Sequence, residues 1–232
     1  MLRSGRCGLP STAPPSSLLT GLVHHWHLGE ATGSRLDSIG TAHLTPIGEP
    51  VQVEGILGNA VQLSPTTADF LYVNSDPTLR LNGTDFTIAG WLMLDSVSPM
   101  PILGKWQSGS KEYLLQCDGS TLSIIVSSNG LAAFTLAGSV LVETGIWYFF
   151  AAWYDTVLDT LYISIDNGVP EEDLYVDGVF GANSDFCLGY EGVAENYFAG
   201  RLNSISIWKR LLTLAERNSL YNSGAGLAYP FS

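Results

Sequence analysis

From Leu22 onward, hydrophobic and polar residues alternate with a period of two, which is typical of β-strands. The stretch DFTIAGWLML (85–94) places Phe86 and Ile88 on one face and Ala89 and Trp91 on the other. WYFFAAWYD (147–155) alternates in the same way. Because both faces of these central strands are apolar, we expect one face to form the core and the other to be covered by loops, a ligand or another subunit.

Further short runs of this kind are separated by turn sequences such as DGS, SNG and DNG. About a dozen strands at this spacing predict an all-β antiparallel sandwich of the jelly-roll type, formed by a single domain over residues 21–232. One helix is predicted over residues 214–222. Thr213 and Glu216 form a capping box at its start, and Gly224 follows its end.

Residues 1–20 read as an extended arm that is rich in proline and serine, since its prolines exclude both a helix and a paired strand. Such an arm is expected to be ordered only when it is held by a neighbour. We therefore expect it to anchor the domain to other proteins of a particle or to sister copies, in a homo-oligomer. The residues expected to make these contacts are Leu2, Arg3, Arg6, Pro10, Pro14 and Pro15.

The composition excludes several classes of partner. Of the 232 residues, 46% are hydrophobic and 14% are charged, so the chain has enough apolar residues for a large core. The net charge of −12 repels phosphate backbones and anionic membrane surfaces. No stretch approaches the ~18 apolar residues of a membrane span, and no apolar run of a secretory signal follows the basic start. Three widely spaced cysteines form no disulfide framework or CxxC pair.

Several motifs, in order, resemble the laminin-G-like, concanavalin A-like jelly-roll modules. The most specific is FAGRLNSISIWKRLLTLAERNSLYNSGAGLAYPF, and it is preceded by LVHHWHLGEATGSRLDSIG, GILGNAVQLS, ILGKW and the two strands quoted above. Together they cover roughly residues 20 to 231. This resemblance implies the sandwich fold. It leaves function open because the fold carries lectins, adhesion modules, enzymes and virion proteins. Copies with this ending resemble phage structural proteins and bacterial surface proteins.

Two metal sites can be weighed. His24, His25 and His27 form a local cluster, but strand alternation divides them between two faces, and no third ligand stands nearby at a suitable spacing. The resemblance implies a calcium site instead, formed by Glu30, Asp37 and Asn203. Oxygen ligands suit calcium, although an amide in place of a family aspartate removes one charge at residue 203. The alternative is that Asp37 caps its own turn in DSIG.

Catalysis is not expected. Glycosidases on this fold use paired carboxylates on one strand, and no E-x-D-x-x-E stretch or G-x-S-x-G elbow occurs. Sugar binding needs aromatic platforms beside polar groups. The candidate platforms are Trp106, Tyr113, Trp153, Tyr190 and Tyr197.

Two functions remain open. The first is a non-catalytic structural or attachment protein on the surface of a phage particle, as a capsid decoration or tail adhesin anchored through residues 1–20. The alternative is a carbohydrate-binding module that recognises a cell-surface glycan, in an extracellular or surface location. Calcium is the one cofactor considered, and glycans are the partners that the second function implies.

Overall fold

A computed structural model describes residues 17–192 and 196–231. Its architecture is an antiparallel sandwich of two sheets, as the period-two pattern predicts. The first strands are β1 (Leu22–Trp26), β2 (Thr45–Ile47), β3 (Val51–Glu54), β4 (Asn59–Leu63), β5 (Phe70–Val73), β6 (Phe86–Leu94) and β7 (Met100–Gln107). The others are β8 (Ser110–Asp118), β9 (Thr121–Val126), β10 (Phe134–Ala137), β11 (Trp147–Asp155), β12 (Thr160–Ile165), β13 (Glu171–Leu174), β14 (Phe186–Leu188) and β15 (Gly200–Trp208).

The eight-stranded sheet has the order β13-β12-β11-β6-β15-β4-β3, with β1 also paired to β15. The seven-stranded sheet has the order β10-β9-β8-β7-β14-β5-β2. Between them lies the main core, to which β6 contributes Phe86 and Ile88 and β11 contributes Phe150. These are the faces that the alternation predicts.

A second apolar cluster lies on the outer face of the eight-stranded sheet, where Trp91 and Phe149 point away from the main core. Helix α1 (Leu214–Tyr221) and the segment after it cover this face, through residues such as Leu220 and Phe231. The chain's own C-terminal segment therefore supplies the cover, and neither a ligand nor another subunit is needed there.

Helix α1 begins as predicted. The Thr213 side chain accepts a hydrogen bond from the Glu216 backbone N–H, and the Glu216 carboxylate accepts one from the Thr213 backbone N–H. Helix α1 ends at Tyr221, where Asn222 adopts a left-handed conformation. The predicted end at residue 222 is thus one residue too long. None of the helices in residues 17–192 and 196–231 is long and apolar enough to span a membrane.

The start of the domain differs from the predicted boundary at residue 21. Leu18 is buried in the outer cluster, and the Trp208 Nε1–H donates to the Leu18 carbonyl oxygen at 2.8 Å. Arg210 donates to the carbonyl oxygens of Ser17 and Thr20. Residues 17–20 therefore belong to the folded domain rather than to an arm. The anchoring residues predicted between Leu2 and Pro15 lie outside the described residues.

Candidate functional site

An aromatic cleft lies at one end of the seven-stranded sheet. In β5, Leu71 points into the core, so its neighbours Phe70 and Tyr72 must point outward. Tyr72 is paired with Cys187 of β14, and the chain then turns at Gly189 into Tyr190. The lining residues are Ile47, Phe70, Tyr72, Gln107, Asp185, Cys187 and Tyr190.

Phe70 and Tyr190 form one wall of this cleft, and Tyr197 packs against Tyr190. The rings of Tyr190 and Tyr197 are stacked, with centroids 5.1 Å apart and planes 15° from parallel. Phe70 lies 4.8 Å from Tyr190 and 6.3 Å from Tyr197. An antiparallel bridge between Tyr190 and Tyr197 fixes the two tyrosines at the base of their loop. The wall is therefore a compact apolar surface that carries the hydroxyl group of Tyr190.

Polar groups line the same cleft at Asp185 and Gln107. The Asp185 Oδ1 accepts a hydrogen bond from the Ser75 backbone N–H at 3.0 Å, which fixes the carboxylate. Its Oδ2 receives only a long contact of 3.4 Å from the Gln107 side-chain amide. Oδ2 therefore has acceptor capacity left for a hydroxyl group, and Gln107 can offer both a donor and an acceptor.

The floor of the cleft is apolar. Burial, and after it the negative charge of Asp185, raises the pKa of the Cys187 thiol to about 12, so the thiol stays protonated and unreactive at neutral pH. Cys187 is paired with Gly104 of β7. The cleft has a volume of about 210 Å³.

The structure brings together only two of the five predicted sugar platforms, Tyr190 and Tyr197. Tyr113 is fully buried in the main core, where its hydroxyl group donates to the Leu79 carbonyl oxygen, so no ligand can reach it. Trp153 lies on the opposite sheet.

Trp153 is stacked on Tyr162, with centroids 5.0 Å apart, and lies beneath the Arg217 guanidinium, which is 4.1 Å from the ring centroid. Trp106 packs against Leu114 and Ile125 outside the cleft. Tyr113 is excluded as a platform, because aromatic composition alone does not reveal which rings lie inside the core. Trp106 and Trp153 lie outside the cleft and stay predictions.

Phe70, Tyr72, Gln107 and Asp185 were not predicted as site residues. Strand alternation in DFLYV already places Phe70 and Tyr72 on one face, so a signal for those two rings was present. Their proximity to Tyr190 was not visible, because it depends on the pairing of β5 with β14 across more than a hundred residues.

The predicted calcium ligand Asp37 instead holds its own turn together. Its Oδ1 accepts from the backbone N–H groups of His25 and Ile39, and its Oδ2 accepts from His24 Nδ1 at 2.7 Å and from the Ala42 N–H. Burial alone would raise the pKa of Asp37, but these hydrogen bonds hold that pKa at about 2.

The other two predicted calcium ligands are also engaged by hydrogen-bond donors. Glu30 Oε1 accepts from the Leu36 N–H at 2.7 Å. The Asn203 amide donates to the carbonyl oxygens of His27 and Asn59, and its oxygen accepts from the Leu57 N–H. Asn203 thus joins three chain segments with every polar atom in use. These contacts favour the turn-capping alternative, and calcium binding stays a prediction.

The histidines of β1 are structural. His25 Nδ1 contacts the Ser206 hydroxyl at 2.8 Å and its ring stacks on Tyr229 at 4.7 Å. His24 stacks on Trp26. Burial, and then the charge of His27, lowers the pKa of His25 to about 4. Across the described ranges, no group of three or more His, Cys, Asp and Glu side chains is arranged to hold a metal ion.

The family follows from a sequence comparison. The Laminin_G_3 family profile, described as the concanavalin A-like lectin/glucanases superfamily, matches residues 66–216, which is more than half of the chain. The chain belongs to this superfamily. A comparison with curated proteins finds no match.

Solved structures with the same fold include binding domains of toxins. The binding domain of Paraclostridial Mosquitocidal Protein 1 is 15% identical, with a TM-score of 0.73 over 88% of this chain and 52% of that one. The binding domain of botulinum neurotoxin DC, in complex with rat synaptotagmin II, is 12% identical, with a TM-score of 0.70 over 88% and 51%.

A structure concerning the interaction of botulinum neurotoxin type C with two ganglioside molecules is 11% identical, with a TM-score of 0.72 over 90% of this chain and 52% of that one. The chain thus spans about half the length of these toxin chains. At these identities the likeness concerns the fold alone.

Proposed function

We propose that this protein is a non-catalytic carbohydrate-binding module that recognises a cell-surface glycan through the aromatic cleft. The observation that carries the proposal is that the adjacent rings of Phe70 and Tyr190 line the same cleft as the Asp185 carboxylate. A sugar ring has apolar C–H groups on its faces and hydroxyl groups at its edge. It therefore matches a site that combines aromatic rings with a carboxylate and an amide.

The comparisons support this function more than they support a structural role in a virion. The fold neighbours described above are binding domains, and one of them is tied to ganglioside molecules. We extend this to the present chain as a proposal that it acts outside a cell or at a cell surface. The predicted anchoring residues, from Leu2 to Pro15, lie outside the described residues. The virion role and the homo-oligomer therefore stay predictions.

The composition of the cleft also favours binding over hydrolysis. Glycoside hydrolysis needs two carboxyl groups about 5–10 Å apart across the scissile bond. Among the described residues that line the cleft, Asp185 is the one carboxylate, and Ser75 holds one of its oxygens. A site with one fixed carboxylate can bind hydroxyl groups but has no partner for acid–base or nucleophilic chemistry.

The test is a glycan array followed by calorimetric titration of the glycans that bind. We expect millimolar or tighter binding, and a loss of at least about fivefold in Tyr190→Ala and Phe70→Ala, because each removes a stacking surface worth about 1 kcal/mol or more. Tyr162→Ala is the matched control, since Tyr162 is a half-buried aromatic residue on the opposite sheet.

Thermal melting of each variant separates a lost site from a lost fold. The proposal fails if no glycan binds the wild-type protein. It fails equally if Tyr190→Ala and Phe70→Ala stay folded and bind as tightly as Tyr162→Ala.

A further inference from the structure

The charges around the aromatic cleft point to the class of its ligand. We infer that the cleft accepts a single uncharged pyranose ring at the end of a glycan and rejects rings that carry a carboxylate or sulfate group. This inference rests on the proposed function and goes further, because it predicts which glycans fail to bind.

One carboxylate, Asp185, lines the cleft directly. A second, Glu191, is not a lining residue but follows Tyr190 in the chain, and its Oε1 accepts from the Asn196 side-chain amide at 2.5 Å. None of the described lining residues is a lysine or an arginine. The net charge of −12 for the whole chain has the same sign. An anionic ligand would meet repulsion at short range and at long range.

The nearby cations are held by other groups rather than presented to a ligand, although Lys105 is close enough for its charge to interact with Asp185. Lys105 comes two residues before the lining residue Gln107, but its side chain is fully buried, and its Nζ donates to the Ser184 carbonyl oxygen at 2.5 Å. The Arg80 guanidinium donates to the Asn183 side chain, and Lys111 lies over the Trp106 ring at 5.3 Å. None of the three lines the cleft.

The size of the cleft matches one sugar ring, and further rings of a glycan would extend out of it. Its volume of about 210 Å³ is below the ~300 Å³ at the lower end of pockets for drug-sized ligands. Phe70 and Tyr72 of β5, together with Cys187, offer contacts to one apolar face of a sugar ring. Asp185 offers a contact to one polar edge of that ring.

The test compares matched pairs of oligosaccharides that share a core and differ only in a terminal sialic acid or a sulfate group. Each pair is titrated into the protein by calorimetry at low and at high salt. We expect the uncharged member to bind at least about fivefold more tightly at low salt, as a like charge at about 4 Å produces even in water. We expect this ratio to shrink at high salt, because ions screen the repulsion.

Three variants assign the effect to the cleft. Asp185→Asn and Glu191→Gln should each reduce the ratio between uncharged and charged members. Asp173→Asn, an exposed acid on β13 of the other sheet, should leave that ratio unchanged. If Asp185→Asn abolishes binding of both members because the contact with a hydroxyl group is lost, the ratio of their affinities is measured in Glu191→Gln instead.

The outcomes separate the two proposals. Equal or tighter binding of the charged members overturns this inference and leaves the carbohydrate-binding function standing. A ratio that none of the cleft variants changes also overturns it, since the selectivity would then arise elsewhere. If no member of any pair binds, both the proposed function and this inference are overturned.

Discussion

Arg210 and Glu216 form a bidentate ion pair that joins the two terminal segments of the domain. The guanidinium Nη1 and Nη2 lie 2.9 and 2.8 Å from the two carboxylate oxygens. The same guanidinium donates to the carbonyl oxygens of Ser17 and Thr20, and the carboxylate accepts from the Thr213 N–H at the start of α1. One charge pair thus holds the first described residues and the helix against β15.

We predict that Glu216→Gln destabilises the protein by about 2 kcal/mol, because hydrogen bonds to charged groups contribute about 1.5–3 kcal/mol. Urea unfolding at neutral pH measures this difference. Glu172→Gln, an exposed glutamate on β13, is the matched control and should change the free energy of unfolding by less than about 0.5 kcal/mol. Equal stabilities of the two variants would contradict the role of the pair.

The same pair should contribute to acid unfolding. Burial alone would raise the pKa of Glu216, but hydrogen bonds from Arg210 and Thr213 lower it from 4.5 to about 2. The depressed pKa means that its contribution is complete above 4.5 and is lost as the pH falls toward 2. We therefore expect the stability gap between wild type and Glu216→Gln to narrow over this window, in urea unfolding at successive pH values.

Glu112 should have the opposite pH dependence. It is fully buried, and burial raises its pKa from 4.5 to about 7 although the Leu81 and Ala182 N–H groups bind its carboxylate. Because the native state then binds the proton more tightly than the unfolded chain, its contribution falls as the pH rises from 4.5 to about 7.

Glu112→Gln cannot titrate. We therefore expect wild-type stability, measured relative to this variant, to fall by about 1–3 kcal/mol across that window. The exposed Glu143→Gln serves as the control. A constant difference between wild type and Glu112→Gln from acid to neutral pH would refute the raised pKa.

Asp37 yields a prediction about calcium. Since its carboxylate already accepts from His24 and three backbone N–H groups, we expect neither calcium nor a chelator to shift the melting temperature. Asp37→Asn should destabilise the protein by about 2–3 kcal/mol, because the amide places N–H groups where acceptors are needed. A calcium-dependent rise in melting temperature that Asp37→Asn removes would establish the ion site instead.

Gly104 is required by close packing rather than by its backbone angles. A Cβ atom there would lie 2.4 Å from the Tyr113 carbonyl oxygen and 2.8 Å from the Leu114 Cα, and both are backbone atoms that cannot turn aside. We predict that Gly104→Ala costs about 2–3 kcal/mol in thermal or urea unfolding. Gly109→Ala, which meets open space at φ +76°, should cost about 1 kcal/mol from backbone strain alone.

The sequence predicts the fold well because the alternation of apolar and polar residues along a strand depends only on residues that are close together in the chain. The two faces of β6 and β11, the start of α1 at Thr213 and the sandwich class are each confirmed. What covers the outer face of a sheet is not local. Leu220 and Phe231 pack on Trp91 and Phe149 because of the direction that the chain takes after β15. The alternation of apolar and polar residues does not predict this direction.

The site was less predictable for the same reason. Tyr190 and Tyr197 stand seven residues apart and could be proposed as a pair. Their partner Phe70 belongs to β5, which is more than a hundred residues away in the chain from Asp185 and β14, so the sequence does not show that these residues lie together. In DSIG, the residue types fit both a calcium loop and a self-capped turn. The contacts of Asp37 with His24, thirteen residues away, distinguish the two.

The late position of β15 in the chain has a consequence for biosynthesis. β15 pairs with β1, β4 and β6, yet β6 ends at residue 94 and β15 begins at residue 200. As the chain leaves the ribosome, the edge of β6 that pairs with β15 therefore stays unpaired until more than a hundred further residues have been added. The eight-stranded sheet can close only after translation passes Trp208, and nascent or truncated chains would expose an apolar edge that invites aggregation.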